Sequence, residues 1–213
     1  MIQRLKSALR RYGWWGMAQN VCGKAWTLLG IHKEFMQLWA HDLYPQDVEP
    51  TVAYQELTLA DFEAHRAEDP AWFTPLKMKK LARYFSVPGS RAFGCVVEGR
   101  LVAYGWTSEQ YLGVSKRLLE EGDGYLWDDY THPDFRGQGW HGRLIRLREE
   151  VLRNGGKRRT LSIIARHNRA SRRGYQRCGY YLLERYSFGR RWGKPFMTLR
   201  YGNRKTESRE RER

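Results

Sequence analysis

The sequence predicts an α/β (α+β) domain built on a mixed sheet, and three observations carry that reading. Segments with strand character recur along the chain, a strand–turn–helix–strand run occupies residues 124–165, and a further helix and two more strands follow it. With 213 residues, 41% of them hydrophobic, the chain suits one domain of ordinary size with a real core, which excludes disorder for most of it.

Ile2, Leu5, Leu9 and Tyr12 recur at helical spacing among Arg4, Lys6, Arg10 and Arg11, and Gly13, Gly16, Gly23 and Gly30 break the pattern into two or three short helices. Trp14, Trp15, Trp26 and Trp39 interleave with these charges, so residues 1–45 read as a basic, Trp-rich helical arm. Such an arm either lies on an anionic membrane or packs on its own domain or a second subunit. The polar, proline-containing stretch from Tyr44 to Pro50 marks a boundary, a single domain follows over residues 46–202, and the charged tail 203–213 is expected to be disordered.

Within the domain, Thr51 to Leu57 alternates like a strand, and Asp61 is expected to cap a helix reaching about Arg66. A second helix covers Leu76 to Phe85, and Arg91–Glu98 and Leu101–Thr107 form a hairpin around Glu98-Gly99-Arg100. Residues 112–122 suit a short helix. Gly124 to Thr131 reads as an aromatic-rich strand ended by His132-Pro133, because proline donates no ladder hydrogen bond. Trp140 to Leu152 is a helix with Leu144, Ile145, Leu147, Val151 and Leu152 as its apolar residues and Arg and Glu on the other faces. Thr160–Ala165 is a buried strand, Arg169–Arg177 a basic helix, and Tyr180–Phe188 and Phe196–Tyr201 the last strands.

Composition narrows the function classes. Cys22, Cys95 and Cys178 are too few and too scattered for a disulfide framework or a Cys-rich zinc site, which points to a reducing cytoplasm. The six histidines show no ligand spacing, so no metal is expected. No apolar run of about 20 residues is present to span a membrane, and the N-terminus lacks the features of a secretory signal. The net charge of +15 is local: residues 1–33 carry +6, residues 34–133 carry −7, residues 134–194 carry +13, and the remainder carries +3. A basic block of that kind faces nucleic acid, an anionic membrane or a phosphorylated ligand, or is a solvated face.

The turn Thr131-His132-Pro133-Asp134-Phe135-Arg136-Gly137-Gln138-Gly139-Trp140-His141-Gly142 opens a helix with three glycines. Backbone N–H groups and the helix dipole there make an anion cradle, unless the glycines serve only a tight connection. No Gly-Lys-Ser/Thr follows, and the turn does not open a repeated dinucleotide-binding unit.

This segment resembles the pyrophosphate loop of the GNAT superfamily of acyl-CoA-dependent N-acyltransferases, Arg/Gln-x-x-Gly-x-Gly/Ala, at Arg136, Gly139 and His141, where His141 replaces a small residue and Gly142 follows directly. Asn168 to Tyr180, with Ser171, Tyr175 and Gly179-Tyr180, is similar to the family's Asn-x-x-Ala/Ser helix. The resemblance covers about residues 51–201. It implies a mostly antiparallel central sheet of six to seven strands flanked by helices, with two strands splayed around the cofactor's pantetheine arm. It further implies that backbone groups of Tyr130, Thr131 and His132 hold that arm, and that amides of Gly137, Gln138, Gly139, Trp140, His141 and Gly142 bind the pyrophosphate. Asn168 and Ser171 would contact the cofactor, and Arg136, with Arg143, Arg172 and Arg173, would supply charge to the phosphates.

The resemblance also implies acyl transfer from the thioester of acetyl-CoA, or another acyl-CoA, directly to an amine, with no metal. Tyr175 falls at the position of the family's general acid, and a tyrosine's ordinary pKa of about 10 suits returning a proton to a thiolate; its other reading is a core tyrosine. Asp128 and Asp129 are the candidate bases, on opposite faces of their strand, and Asp129 is favoured because it shares a face with Tyr125 and Trp127; a relayed water is the alternative. His132 and His141 could transfer protons or bind the cofactor, or merely hydrogen-bond at a turn. Trp72, Phe73, Trp106, Tyr111 and Trp127 suggest an acceptor pocket that stacks on a ring or sugar.

The leading expectation is a cytoplasmic N-acetyltransferase acting on a small-molecule, amino-sugar or lipid-linked amine, held at the inner face of an anionic membrane by residues 1–33, with a homodimer compatible with the arm. The competing reading is a nucleic-acid- or anionic-membrane-binding module that keeps the fold without the catalysis; no DNA- or RNA-reading motif supports nucleic acid as the main partner.

Overall fold

The structure, a computed structural model, describes residues 31–44, 54–109, 120–191 and 194–200. The helices expected over residues 2–29, most of the helix expected over 112–122 and the charged tail lie outside the described residues. In chain order the elements are β1 (Ile31–Asp42), β2 (Tyr54–Leu57), α1 (Leu59–Glu68), α2 (Pro75–Phe85), β3 (Ser90–Val97), β4 (Arg100–Ser108), β5 (Asp123–Thr131), α3 (Trp140–Asn154), β6 (Arg159–Ala165), α4 (Arg169–Arg177), β7 (Tyr181–Arg191) and β8 (Lys194–Arg200), with a 3-10 turn at Pro133–Phe135. The strands form a mixed, mostly antiparallel sheet with helical flanks, as expected.

Eight strands are described rather than six to seven. The additional one is β1, whose residues fall in the segment expected to be a helical arm. Strand alternation is hard to read there because Gln37, Leu38, Trp39 and Ala40 are all buried in succession and the register with β7 shifts between Leu38 and Trp39.

The residues divide into two compact units, His41–Ser162 and a second made of the segments up to Ala40 and from Ile163 onward. In the His41–Ser162 unit the strand order is β2-β3-β4-β5-β6. The β3–β4 hairpin turns at Glu98 and Gly99, both at positive φ, and β5 and β6 run parallel with α3 as their crossover. Helix α1 begins at a capping box in which Thr58 is the N-cap and Asp61, expected as the cap itself, is the third helical residue whose carboxylate bonds back to the Thr58 N–H at 2.7 Å. Helix α2 starts with Thr74 as its cap and Pro75 in its first turn.

One face of this sheet packs Phe62, Met78 and Leu81 of α1 and α2 onto Leu57, Leu101, Tyr104 and Trp106. The other packs Trp140, Leu144 and Leu147 of α3 onto Phe93, Cys95 and Ala103. Each fully buried aliphatic side chain contributes about 1.5–3 kcal/mol. Contrary to expectation, the Arg and Glu residues of α3 do not all lie outside this core, since Arg148 and Glu149 are buried. Their charges are partnered there, by Asp129 and His41.

In the second unit β1 pairs antiparallel with β7, and β7 with β8. Helix α4 is capped by Asn168 and buries Tyr175. No described helix is long and apolar enough to cross a membrane.

Candidate functional site

The turn between β5 and α3 is built by local rules. His132 caps the 3-10 turn, its Nδ1 accepting from the Asp134 N–H at 3.3 Å, and Pro133 begins it. Gly137 and Gly139 have φ of 83° and 84°, and a Cβ at either would meet nothing within 4 Å among the described residues. Glycine is therefore required there by backbone conformation, and the open space beside the turn is room that a side chain would otherwise fill. Gly139 is the N-cap of α3 and offers no side-chain acceptor to its first turn. The helix thus presents its dipole through a side-chain-free cap, which suits an anion.

The side chains of the turn mostly buttress it. Gln138 donates to the Asp134 carbonyl and accepts from Trp140 Nε1, both at 3.3 Å, and Trp140 is packed into the core. Arg136 Nε donates to the Thr131 carbonyl at 3.2 Å, and the Arg143 guanidinium lies over the Trp140 ring. For Gln138 and Trp140, then, a ligand would meet the backbone rather than the side chain.

Strand β5 leads into this turn. Its parallel ladder with β6 runs from Asp123↔Arg159 to Leu126↔Ser162, and beyond it Trp127, Tyr130 and Thr131 pair with β4. On the β4 side, Trp127 pairs with Trp106 and Tyr130 with Tyr104, so Asp128 and Asp129 together face Gly105 in a β-bulge. Asp128 takes the strained position at φ 49°, which aspartate tolerates better than most residues.

The bulge sends the two carboxylates to different environments, and it breaks the alternation expected of a regular strand. Trp127 packs against Tyr84 of α2, and Asp128 accepts from Lys80 Nζ of the same helix at 2.9 Å. Asp129 turns instead toward α3 and does not share the side of Trp127. Its carboxylate lies 2.6 Å from Arg148 Nη1 and 3.0 Å from His141 Nε2. Burial alone would raise the Asp129 pKa, but Arg148 and His141 outweigh it and hold the carboxyl well below its usual range. Arg148, fully buried, also donates to the Trp106 and Leu144 carbonyls. A Cβ on Gly105 would come within 2.5 Å of Arg148 Nη1, so the missing side chain makes space for this pair. Arg148 was readable as a basic residue between Leu144 and Leu152 on one helical stripe.

The face carrying α1 and α2 gathers most of the aromatic residues expected of an acceptor pocket. Trp72, Phe73, Trp106 and Trp127 come together there, although Trp106 and Phe73 are core residues; Tyr111 lies outside the described residues. Lys77 of α2, not anticipated from sequence, places Nζ 4.3–5.2 Å from the ring centres of Tyr130, Phe73, Trp72 and Tyr104. Burial pulls its pKa down to about 8. Lys80, by contrast, is held above its usual value, because bonds to Tyr84 and Asp128 outweigh burial. His132 Nε2 lies 3.1 Å from Asp69 Oδ2 and its ring 5.6 Å from Trp72.

In the second unit, Asn168 Oδ1 accepts from the Ser171 N–H at 3.2 Å, so the carboxamide oxygen caps α4. Tyr175 is 1% exposed and packs edge-on against Tyr180. Arg169, Arg172, Arg173 and Gln176 line a concavity of about 270 Å³. Burial and the neighbouring guanidiniums lower the Arg172 pKa.

The described sheet is mixed, with a parallel β–α–β step whose crossover helix is capped by glycine. The sequence model of the acetyltransferase (GNAT) family matches residues 52–180, more than half of the chain, and the chain belongs to that family. No curated protein matches it in sequence. Among solved structures, a GCN5-related N-acetyltransferase from Sphaerobacter thermophilus aligns with a TM-score of 0.54 at 16% identity, covering 79% of this chain and 55% of its own. A GNAT-family acetyltransferase from Colwellia psychrerythraea gives 0.52 at 14% identity, covering 84% and 61%. A GNAT-family protein from Novosphingobium aromaticivorans gives 0.51 at 16%, covering 74% and 64%. At these identities the likeness is one of fold, and the chain spans less than two thirds of each structure.

Proposed function

We propose that the protein transfers an acetyl or other acyl group from acyl-CoA to an amine. The observation that carries this reading is that the β5–β6 ladder ends at Leu126↔Ser162 and β5 then runs directly into the open, glycine-capped start of α3. Backbone groups of Tyr130, Thr131 and His132 pair with the pantetheine arm, and amides from Gly137 to Gly142 receive the pyrophosphate, with Arg136 adding charge. Asn168 and Ser171 contact the same ligand. When bound, the thioester supplies the activated acyl group.

The chain's own residues then manage protons and position. Asp128, on the α1–α2 side of the bulge with the aromatic residues, is the carboxylate placed to take a proton from the amine. Asp129 is the weaker base because Arg148 stabilises its anion; its role is to fix the bulge and orient His141. Tyr175 returns a proton to the departing thiolate. Release of free CoA across a panel of amines, including amino sugars and amino acids, tests the activity. Tyr175→Phe is expected to lower turnover more than it weakens cofactor binding.

A second role rests on the guanidiniums of Arg166, Arg169, Arg172 and Arg173, none of which is ion-paired to a carboxylate among the described residues. Together with the basic arm they suit attachment to an anionic membrane from the cytoplasmic side, near a lipid-linked amine. Sedimentation with anionic liposomes, with and without residues 1–40, tests it; equal behaviour of the two chains counts against the arm.

A further inference from the structure

We propose that Lys77 is itself an acyl acceptor, so that the protein acylates its own Lys77 Nζ in the aromatic box beside β5. This inference rests on the acyl-CoA reading, but its test separates the two.

The geometry is that of an amine held in place. Nζ is surrounded by the rings of Trp72, Phe73, Tyr104 and Tyr130, and Tyr130 belongs to the stretch of β5 assigned to the pantetheine arm. Direct acyl transfer needs a neutral amine, and the site favours one. With a pKa of about 8, half of Lys77 is neutral at pH 8, against about 1 in 300 for an ordinary lysine. The groups acting on it are Lys80 on its own helix, Asp128, Tyr130 and Tyr104 from the sheet, and Asp69 before α2; the two carboxylates oppose the shift but do not reverse it. Its neighbours are poor competitors. Lys80 is kept protonated by Asp128 and Tyr84, and Lys79 is exposed.

The box also offers the product a hydrogen bond. Trp72 Nε1–H is buried without a hydrogen-bond partner among the described residues, and the Trp72 ring lies 4.7 Å from Lys77 Nζ. A buried donor left unmade is costly. The carbonyl of an acylated lysine supplies an acceptor at that position, and acylation removes the buried charge.

In the step, the neutral Nζ attacks the thioester carbonyl, the C–N bond forms and the C–S bond breaks. The nitrogen's proton leaves to Asp128 or water, and the thiolate is protonated to free CoA. The products are an Nε-acyl-lysine and CoA.

The test incubates the full chain with acetyl-CoA at pH 8 and follows each lysine by peptide mass spectrometry, with and without excess CoA, alongside thermal shift with CoA alone. Acetyl at Lys77 is expected to appear at least about tenfold faster than at Lys79 or Lys80, and excess CoA is expected to suppress it. If CoA raises the melting temperature yet Lys77 stays unmodified, or labels no faster than Lys79, or labels regardless of excess CoA, the inference is overturned and the acyl-CoA reading stands. Absence of both CoA binding and Lys77 labelling overturns both.

Discussion

Arg148 Nη1 of α3 lies 2.6 Å from Asp129 Oδ1 of β5, and the pair is buried where the strand bulges opposite Gly105. Desolvating two charges is offset by their mutual attraction and by the bonds Arg148 makes to the Trp106 and Leu144 carbonyls. The pair therefore links the crossover helix, the bulge and, through His141, the glycine turn.

Removing one member leaves the other charge buried without its ion-pair partner. Arg148→Met and Asp129→Leu are each expected to destabilise the protein by about 3–5 kcal/mol, while the double change Arg148→Met/Asp129→Leu recovers much of that loss. Urea denaturation of the three variants measures this. Additive costs would show that the residues do not act as a pair.

The same pair sets a response to acid. Because Asp129 has a lower pKa folded than unfolded, its contribution is complete above the unfolded value of about 4 and is lost as the pH falls toward the folded value. The acid limb of the stability curve should be steeper in the wild type than in Asp129→Asn. Parallel acid limbs would contradict the assignment.

Lys77 acts at the other end of the scale and with the opposite sense. Its folded pKa, about 8, lies below the ordinary 10.5, so the unfolded chain binds the extra proton between those values and stability rises with pH across that window. Lys77→Met should be more stable than the wild type at pH 7 and should lack this rise. A wild-type curve that is flat from pH 8 to 10.5 and unchanged by the substitution would refute the burial of this charge.

Gly139 separates binding from folding. Gly139→Ala is expected to cost only about 1 kcal/mol of stability, from the φ of 84°, because the added Cβ meets no described residue within 4 Å. It should nevertheless weaken CoA binding at least tenfold, because the methyl group occupies the cradle. Unchanged CoA affinity by calorimetry would place the phosphates elsewhere.

The turn after β5 was legible in the sequence because its local chemistry is written in consecutive residues. Gly137 and Gly139 mark a backbone that only glycine adopts readily, and His132-Pro133 ends the strand. What was not legible depends on irregularity or on distant segments. The bulge at Asp128 overturns the alternation that would have placed Asp129 beside Trp127, and the box around Lys77 draws rings from residues 72–73, 104 and 130. Strand β1 escaped for a similar reason, since its register shift and four successive buried residues erase the period of two.

The most direct test of the central claim is the melting temperature of the full chain with and without acetyl-CoA. A ligand present at 100 times its Kd stabilises by about 2.7 kcal/mol, so a rise of several degrees is expected, with a smaller one in Gly139→Ala. No rise with acetyl-CoA or any other acyl-CoA would contradict it.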